Sequence, residues 1–151
     1  MTAADELAMQ RALTLAAEAG AASEIPVGAV VLDADGRIVA EGRNHRETTH
    51  DPTGHAEIDA LRAAAASAGS WNLQGHTLVV TLEPCIMCAG AILQARISRV
   101  VFGAWDEKAG AAGSMYDVLR DRRLPYRAEV VGGIEADAAT ALLREFFEPR
   151  R

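Results

Sequence analysis

Met9, Ala12, Leu13, Ala16 and Ala17 recur at the spacing of one helix face and Gly20 follows, so residues 4–19 read as an amphipathic helix. Val27 to Asp33 is a β-rich run, and Asp33-Ala34-Asp35-Gly36 supplies turn residues before a second strand from Arg37 to Glu41, which makes a hairpin. Residues 43–54 are polar, with Asp51-Pro52-Thr53-Gly54 marking the approach to a helix start. That helix spans Ala56 to Ala68, with Ile58, Leu61 and Ala65 on one face and Gly69 as its stop. A strongly apolar strand, Thr77 to Leu82, precedes a helix opened by Pro84 and running to about Arg96; Ser98 to Gly103 is the next strand. Residues 104–118 form a long connection rich in Gly and Ala, and structureless connections of this length are generally functional. Arg127 to Val131 predicts a fifth strand. Residues 136–147 predict a last helix, anchored in the core by Phe146 and Phe147, which pair at i,i+4 with Leu142 and Leu143. The order αββαβαββα, with helices between strands, predicts an α/β fold with a partly parallel sheet and helices on its faces.

At 151 residues the chain suits a single domain, 1–151, with no repeat or linker to divide it. Half the residues are hydrophobic, yet 31 are alanine and only seven aromatic, so the core is built from small side chains on closely packed elements. The net charge of −6 excludes a protein basic all over, because phosphate affinity rests on Lys and Arg. The charge is uneven: residues 1–75 hold five Arg against eleven acids, whereas 76–151 are balanced. Arg120, Arg122, Arg123 and Arg127 surround one Asp121, and the chain ends in Arg150-Arg151. Fourteen of the fifteen basic residues are Arg, the side chain suited to bidentate phosphate contacts, although a genome rich in Arg and Ala codons accounts for the same bias. Asp5, Glu6, Arg11 and Glu18 break any secretory apolar core, and no stretch approaches the roughly 18 apolar residues of a membrane span. Two cysteines three residues apart make no disulfide framework, so a cytoplasmic, reducing home without a membrane partner is expected.

The chemistry is carried by His55-Ala56-Glu57 and Pro84-Cys85-Ile86-Met87-Cys88, with Asn44 upstream. Imidazole and thiolates are the ligands zinc prefers, and both segments fall at helix starts, where free N–H groups and the dipole stabilise thiolates. Cys85 and Cys88 are i,i+3, so both sulfurs lie on one side of a first turn. Two helix N-termini facing one point would supply one nitrogen and two sulfurs to a single zinc. Three protein ligands leave a position for water, as in catalytic sites; His45, His50 or His76 could in principle close the site into a structural one. Glu57, in the first helical turn, can reach a water activated at the metal and move its proton to a leaving amine, which is hydrolytic deamination of an amino-substituted aromatic ring. Taken alone, Glu57 reads better as a helix-start acid favoured by the dipole; taken with the Cys pair, it reads as the proton shuttle.

His-Ala-Glu followed, 29 residues after its His, by Pro-Cys-x-x-Cys resembles the zinc nucleobase-deaminase signature. Within that superfamily the chain is most similar, nearly end to end, to the bacterial tRNA-specific adenosine deaminases. The stretches that carry the resemblance are 25–30, 50–57 and 101–104, then Lys108, Gly110 to Ser114, and Phe146-Phe147 before the terminal Arg pair. The resemblance implies a three-layer cytidine-deaminase-like fold, a central mixed five-stranded sheet with helices on both faces. It also implies one zinc per chain on His55, Cys85 and Cys88, with Glu57 as proton shuttle. By the same likeness Asn44 hydrogen-bonds the flipped purine, Val27 and Leu82 pack on it beside Ala56, and Asp106 contacts the neighbouring nucleotide. The implied enzyme is a homodimer that converts the wobble adenosine of an arginine tRNA to inosine; from the charge pattern, Arg120, Arg122, Arg123, Arg150 and Arg151 are the expected contacts to the anticodon stem-loop. The chain departs from the family pattern at Arg43, Arg46, Gly54 and Trp105. The same zinc and Glu57 would serve a free-base deaminase of the guanine or cytosine type, which the negative charge favours. A third reading is a non-catalytic binding module stapled by zinc.

Overall fold

The turn between the first two strands closes as its residues require: Asp33 Oδ1 accepts the N–H groups of Asp35 and Arg37, and Gly36 takes φ +81°. The structure, a computed structural model, describes residues 2–148. Its elements are α1 (Ala3–Ala21), β1 (Gly28–Leu32), β2 (Ile38–Arg43), α2 (Ala56–Ala68), β3 (Thr77–Leu82), α3 (Ile86–Gln94), β4 (Arg99–Ala104), β5 (Glu129–Val131) and α4 (Ala136–Phe147). One sheet of order β2-β1-β3-β4-β5 holds all five strands. Its first half is antiparallel, β1 pairing with both β2 and β3, and its second half is parallel, β3 with β4 and β4 with β5. Helices α1 and α4 cover one face; α2 and α3 cover the other, over a core that includes Val80, Ile92 and Phe102. This is the mixed three-layer α/β fold the sequence predicts.

The alanines explain the layer spacing. Ala8, Ala12, Ala16 and Ala19 of α1 are fully buried, as are Ala56 and Ala60 of α2. Small side chains on the helices meet glycines on the strands: a Cβ on Gly42 of β2 would stand 2.7 Å from the Ala60 nitrogen and nearer still to the Ala56 carbonyl oxygen. Gly28 of β1 makes the same approach to α1, 2.7 Å from the Ala16 nitrogen. The first turn of α1 is tied to β4 by Asp5, whose buried carboxylate accepts both Arg99 Nη atoms at 2.8 and 2.6 Å and completes a capping box with Thr2.

Three local expectations shift. The third helix begins at Ile86, because Pro84 and Cys85 stay outside it and Cys85 is an extended N-cap at φ −76°, ψ 175°. The fifth strand starts at Glu129, and Arg127 stays outside its ladder with β4. Neither Phe146 nor Phe147 is a core anchor: Phe146 is half-buried, and Phe147 is 51% exposed and meets it edge-to-face at 5.2 Å. The cause is that Leu142 and Phe146 face a groove along the end of α1, beside Ala17, Gly20 and Ala21, which turns the adjacent Phe147 to solvent. The connection after β4 is also structured, with single β-bridges joining Cys85 to Gly110 and Ala112 to Asp117.

Candidate active site

The parallel strands β3 and β4 end side by side at Leu82 and Ala104. The carboxyl ends of strands are where open α/β sheets bind ligands. Here β3 runs directly into Pro84 and Cys85, and His55 arrives at α2 from the polar connection. His55 and Cys85 are both extended N-cap residues, and Cys88 lies buried in the first turn of α3. Two positive helix ends therefore aim at one point. His55 Nδ1 is 3.4 Å from Cys88 Sγ and 3.7 Å from Cys85 Sγ, and the three ligand atoms lie within 4.8 Å of one another. A tetrahedral site with zinc–sulfur bonds of about 2.3 Å and a zinc–nitrogen bond of about 2.05 Å has a sulfur–nitrogen edge of about 3.6 Å, so the donors fit zinc in kind and in spacing.

The remaining histidines sit elsewhere. His45 Nε2 is 2.6 Å from Asp59 and its Nδ1 is 2.8 Å from the Thr49 hydroxyl. His76 Nδ1 is 3.1 Å from the Leu73 carbonyl, and His50 occupies an exposed turn at φ +52°. Among the described residues the group is thus a three-ligand one, His55, Cys85 and Cys88.

The electrostatics match. A hydrogen bond from Cys88, helped by His55 against the cost of burial, pulls the Cys85 thiol down to about 4. The same bond, with burial and the nearby Glu57, pushes the Cys88 thiol up. The Cys85 sulfur likewise raises His55 against the opposing effect of burial. Glu57, the second residue of α2, is 4% exposed, and burial pushes its carboxyl up to about 7 against the pull of its own N–H and of His55. Such a carboxyl can hold or release a proton near neutral pH.

His55, Ala56, Glu57 and Cys85, from the starts of α2 and α3, line a cavity of about 300 Å³. Ile25, Val27, Asn44 and Arg46 line it from the segments flanking β1 and β2, and Leu82, Glu83, Asp106 and Ala109 from the ends of β3 and β4 and the loop that follows β4. The Asn44 amide is oriented by two backbone partners: Nδ2 donates to the Ile25 carbonyl and Oδ1 accepts the Arg46 N–H, both at 3.2 Å. That leaves one N–H and one lone pair for a ligand. Asp106 Oδ1 accepts the N–H groups of Lys108 and Ala109. The structure therefore brings Val27, Asn44, His55, Ala56, Glu57, Leu82, Cys85 and Asp106 to one cavity, with Cys88 behind it. It does not bring Arg120, Arg122 or Arg123 there. These are exposed, Arg120 pairing with Asp117 at 3.0 Å and Arg123 with Asp121 at 2.7 Å, so part of their charge is neutralised. Arg150 and Arg151 lie outside the described residues.

Two buried residues, Glu83 in the cavity lining and Glu24 next in sequence to the lining residue Ile25, were not singled out by sequence reasoning. Glu24 and Glu83 are 1% and 2% exposed. Burial pushes both carboxyls up, but hydrogen bonds from Thr48 and the Glu47 N–H to the first, and from Ser114 and the N–H groups of Asp106 and Ala112 to the second, outweigh it and hold both below the usual range. A glutamate in a sequence reads as a surface residue, and only the position of Glu83 directly before Pro84-Cys85 hints otherwise.

Residues 2–104 match the cytidine and deoxycytidylate deaminase zinc-binding region. The chain is 48% identical over 147 residues, 97% of its own length and 85% of the relative's, to a tRNA-specific adenosine deaminase of Haemophilus influenzae. It is 54% identical over 145 residues to a tRNA(Ile)-lysidine synthase of Deinococcus radiodurans, covering 95% of this chain but spanning only about a quarter, 25%, of that longer protein. Among solved structures, one from work on A-to-I editing by tRNA:A34 deaminases at the wobble position of transfer RNA superposes with a TM-score of 0.87 at 39% identity, covering 91% of this chain and 99% of that one. A guanine deaminase from Nitrosomonas europaea superposes at 0.82 with 27% identity, over 93% and 83%. The chain belongs to the cytidine and deoxycytidylate deaminase family.

Proposed function

We propose that this chain, residues 1–151 acting as one domain, is a zinc-dependent hydrolase that converts adenosine to inosine at the wobble position of an arginine tRNA. The observation that carries the reading is that His55 and Cys85 of the three-residue ligand group, and a buried Glu57, border one cavity with Asn44 poised in its wall. A volume of about 300 Å³ is at the small end of ligand sites, suited to a single base turned out of a loop. His55, Cys85 and Cys88 hold one zinc per chain, which when bound supplies the Lewis acidity that makes water a nucleophile near neutral pH. Glu57 takes a proton from the attacking water and delivers it to the departing ammonia, so adenosine and water yield inosine and ammonia with no redox partner. Asn44 hydrogen-bonds the purine edge, Val27 and Leu82 pack against its faces beside Ala56, and Asp106 meets the adjoining nucleotide.

The relative named for tRNA adenosine, at 48% identity, supports RNA over a free base, against 27% for the guanine deaminase. Exposed Ile86 and Trp105 stand next in sequence to the cavity residues Cys85 and Asp106 and offer apolar surface to bases flanking the target. The anticodon stem-loop is the part of the tRNA that enters; Arg120, Arg122, Arg123 and the terminal Arg150 and Arg151 contact its phosphates. The enzyme works as a homodimer. An apolar groove between α2 and α3, lined by Ile58, Leu61, Trp71, Leu73 and Ala91, supports this, with Trp71 64% exposed. Free cysteines, and the finding that no helix among the described residues is long and apolar enough to cross a membrane, accord with work in the cytoplasm.

The test offers the purified protein the arginine tRNA anticodon stem-loop beside free guanine, cytosine and adenine. Inosine in the RNA is the expected product, with turnover that weakens as salt rises. Ammonia released from a free base with no inosine in the RNA would overturn the reading.

A further inference from the structure

Glu24 and Glu83 are buried anions, and neither forms an ion pair with Lys or Arg among the described residues. A buried charge is costly unless hydrogen bonds replace its water, and here the hydrogen bonds all come from two loops. Glu83 Oε1 accepts the Asp106 N–H at 3.0 Å and the Ser114 hydroxyl, while Oε2 accepts the N–H groups of Ala112 and Ser114, each at 3.0 Å. Glu24 Oε1 accepts the Glu47 N–H at 3.0 Å, and Oε2 accepts the N–H of Thr48 at 2.6 Å and its hydroxyl. Each glutamate thus fastens one loop, and each loop contributes residues to the lining of the cavity. The first loop carries Asp106 and Ala109; the second carries Arg46, one residue before the clamped Glu47. Gly110 belongs to the same device, since a Cβ there would run into the Glu83 carboxylate.

We propose that Glu24 and Glu83 are positioning residues that set the two side walls of the substrate cavity, and so the fit of the nucleotide, without touching the reacting atoms. The sharing of labour follows from the bonding. Every oxygen of both carboxylates accepts from a donor, so an amide in either place turns an NH₂ group against an N–H or O–H whichever way it flips. Loosening a wall leaves Glu57 and Cys88 in place, because they lie within α2 and α3, and His55 and Cys85 stay attached as the N-cap residues of those helices, although one β-bridge also joins Cys85 to Gly110. The loss therefore falls on substrate binding more than on the chemical step.

The proposal rests on the deaminase reading, and its test separates the two. In the zinc-loaded full chain, Glu83→Gln is expected to speed hydrogen exchange at the amides of Asp106, Ala112 and Ser114, and Glu24→Gln at those of Glu47 and Thr48, each leaving the other loop and α1 unchanged. With whichever substrate the wild type turns over, KM rises about tenfold, the scale of one lost hydrogen bond to a charge, kcat changes less, and zinc stays near one per chain. Should a Gln variant fail to fold, Ser114→Ala and Thr48→Val, which remove one hydroxyl donor each, show the same pattern more weakly. Unchanged exchange in the clamped loop overturns the proposal. So does faster exchange with KM unaltered, or a loss of activity that tracks lost zinc. If the wild type deaminates neither RNA nor free base, the deaminase reading fails while exchange still decides whether the glutamates hold the walls.

Discussion

Replacing Gly42 by alanine should damage the metal site from a distance. The new Cβ would lie 2.7 Å from the Ala60 nitrogen and closer to the Ala56 carbonyl oxygen, both helix backbone. Ordinary contacts begin near 3.5 Å, so α2 must retreat by about 1 Å. His55 and Glu57 sit at the start of α2 and travel with it, whereas Cys85 and Cys88 belong to α3. Zinc coordination tolerates about 0.2 Å, and a misplacement of about 1 Å at a reacting centre costs on the order of a hundredfold in rate. Overpacking adds a stability loss of about 1–3 kcal/mol. Gly28→Ala is the matched control, because it forces the same clash against α1, which carries no site residue. Zinc per folded chain, measured by metal analysis beside thermal melting, should fall for Gly42→Ala and hold for Gly28→Ala, with similar losses of melting temperature. Full zinc content and wild-type turnover in Gly42→Ala would refute the idea that β2 sets the position of His55.

Glu57→Ala should leave zinc near one per chain and lower kcat by about a hundredfold or more, whereas Cys88→Ala should lose the metal itself; metal analysis with single-turnover assays checks both. Acid stability should depend on Asp5. The Arg99 guanidinium, with Thr2, holds its carboxyl below the ordinary value of about 3.9 despite its burial. Its contribution is therefore complete above the ordinary value and lost as pH falls through the depressed one. Urea midpoints measured from pH 6 down to 3 should fall less steeply for Asp5→Ala than for the wild type, although that variant starts lower because Arg99 loses its partner. Equal slopes would rule the pair out as a source of acid sensitivity.

Much of this was legible along the chain because it is local. Alternation and helical spacing are enforced by neighbours, so the hairpin at 33–36 and the Gly69 cap, at φ +65°, fall where turn chemistry puts them. The pairing of His55-Ala56-Glu57 with Cys85 and Cys88 was readable for a similar reason. Ligand chemistry restricts the residue types, and a helix start restricts their spacing. Tertiary structure alone decided the rest. Glu24 and Glu83 look like surface acids until the fold places their loops' N–H groups around them. Phe147 looks like core until the groove beside α1 takes Phe146 instead. Burial and pairing are properties of what lies across space. Sequence by itself placed a His/Cys/Cys ligand set and Glu57 at two helix starts, and only tertiary packing brought those starts to one cavity and closed two loops on the buried carboxylates of Glu24 and Glu83.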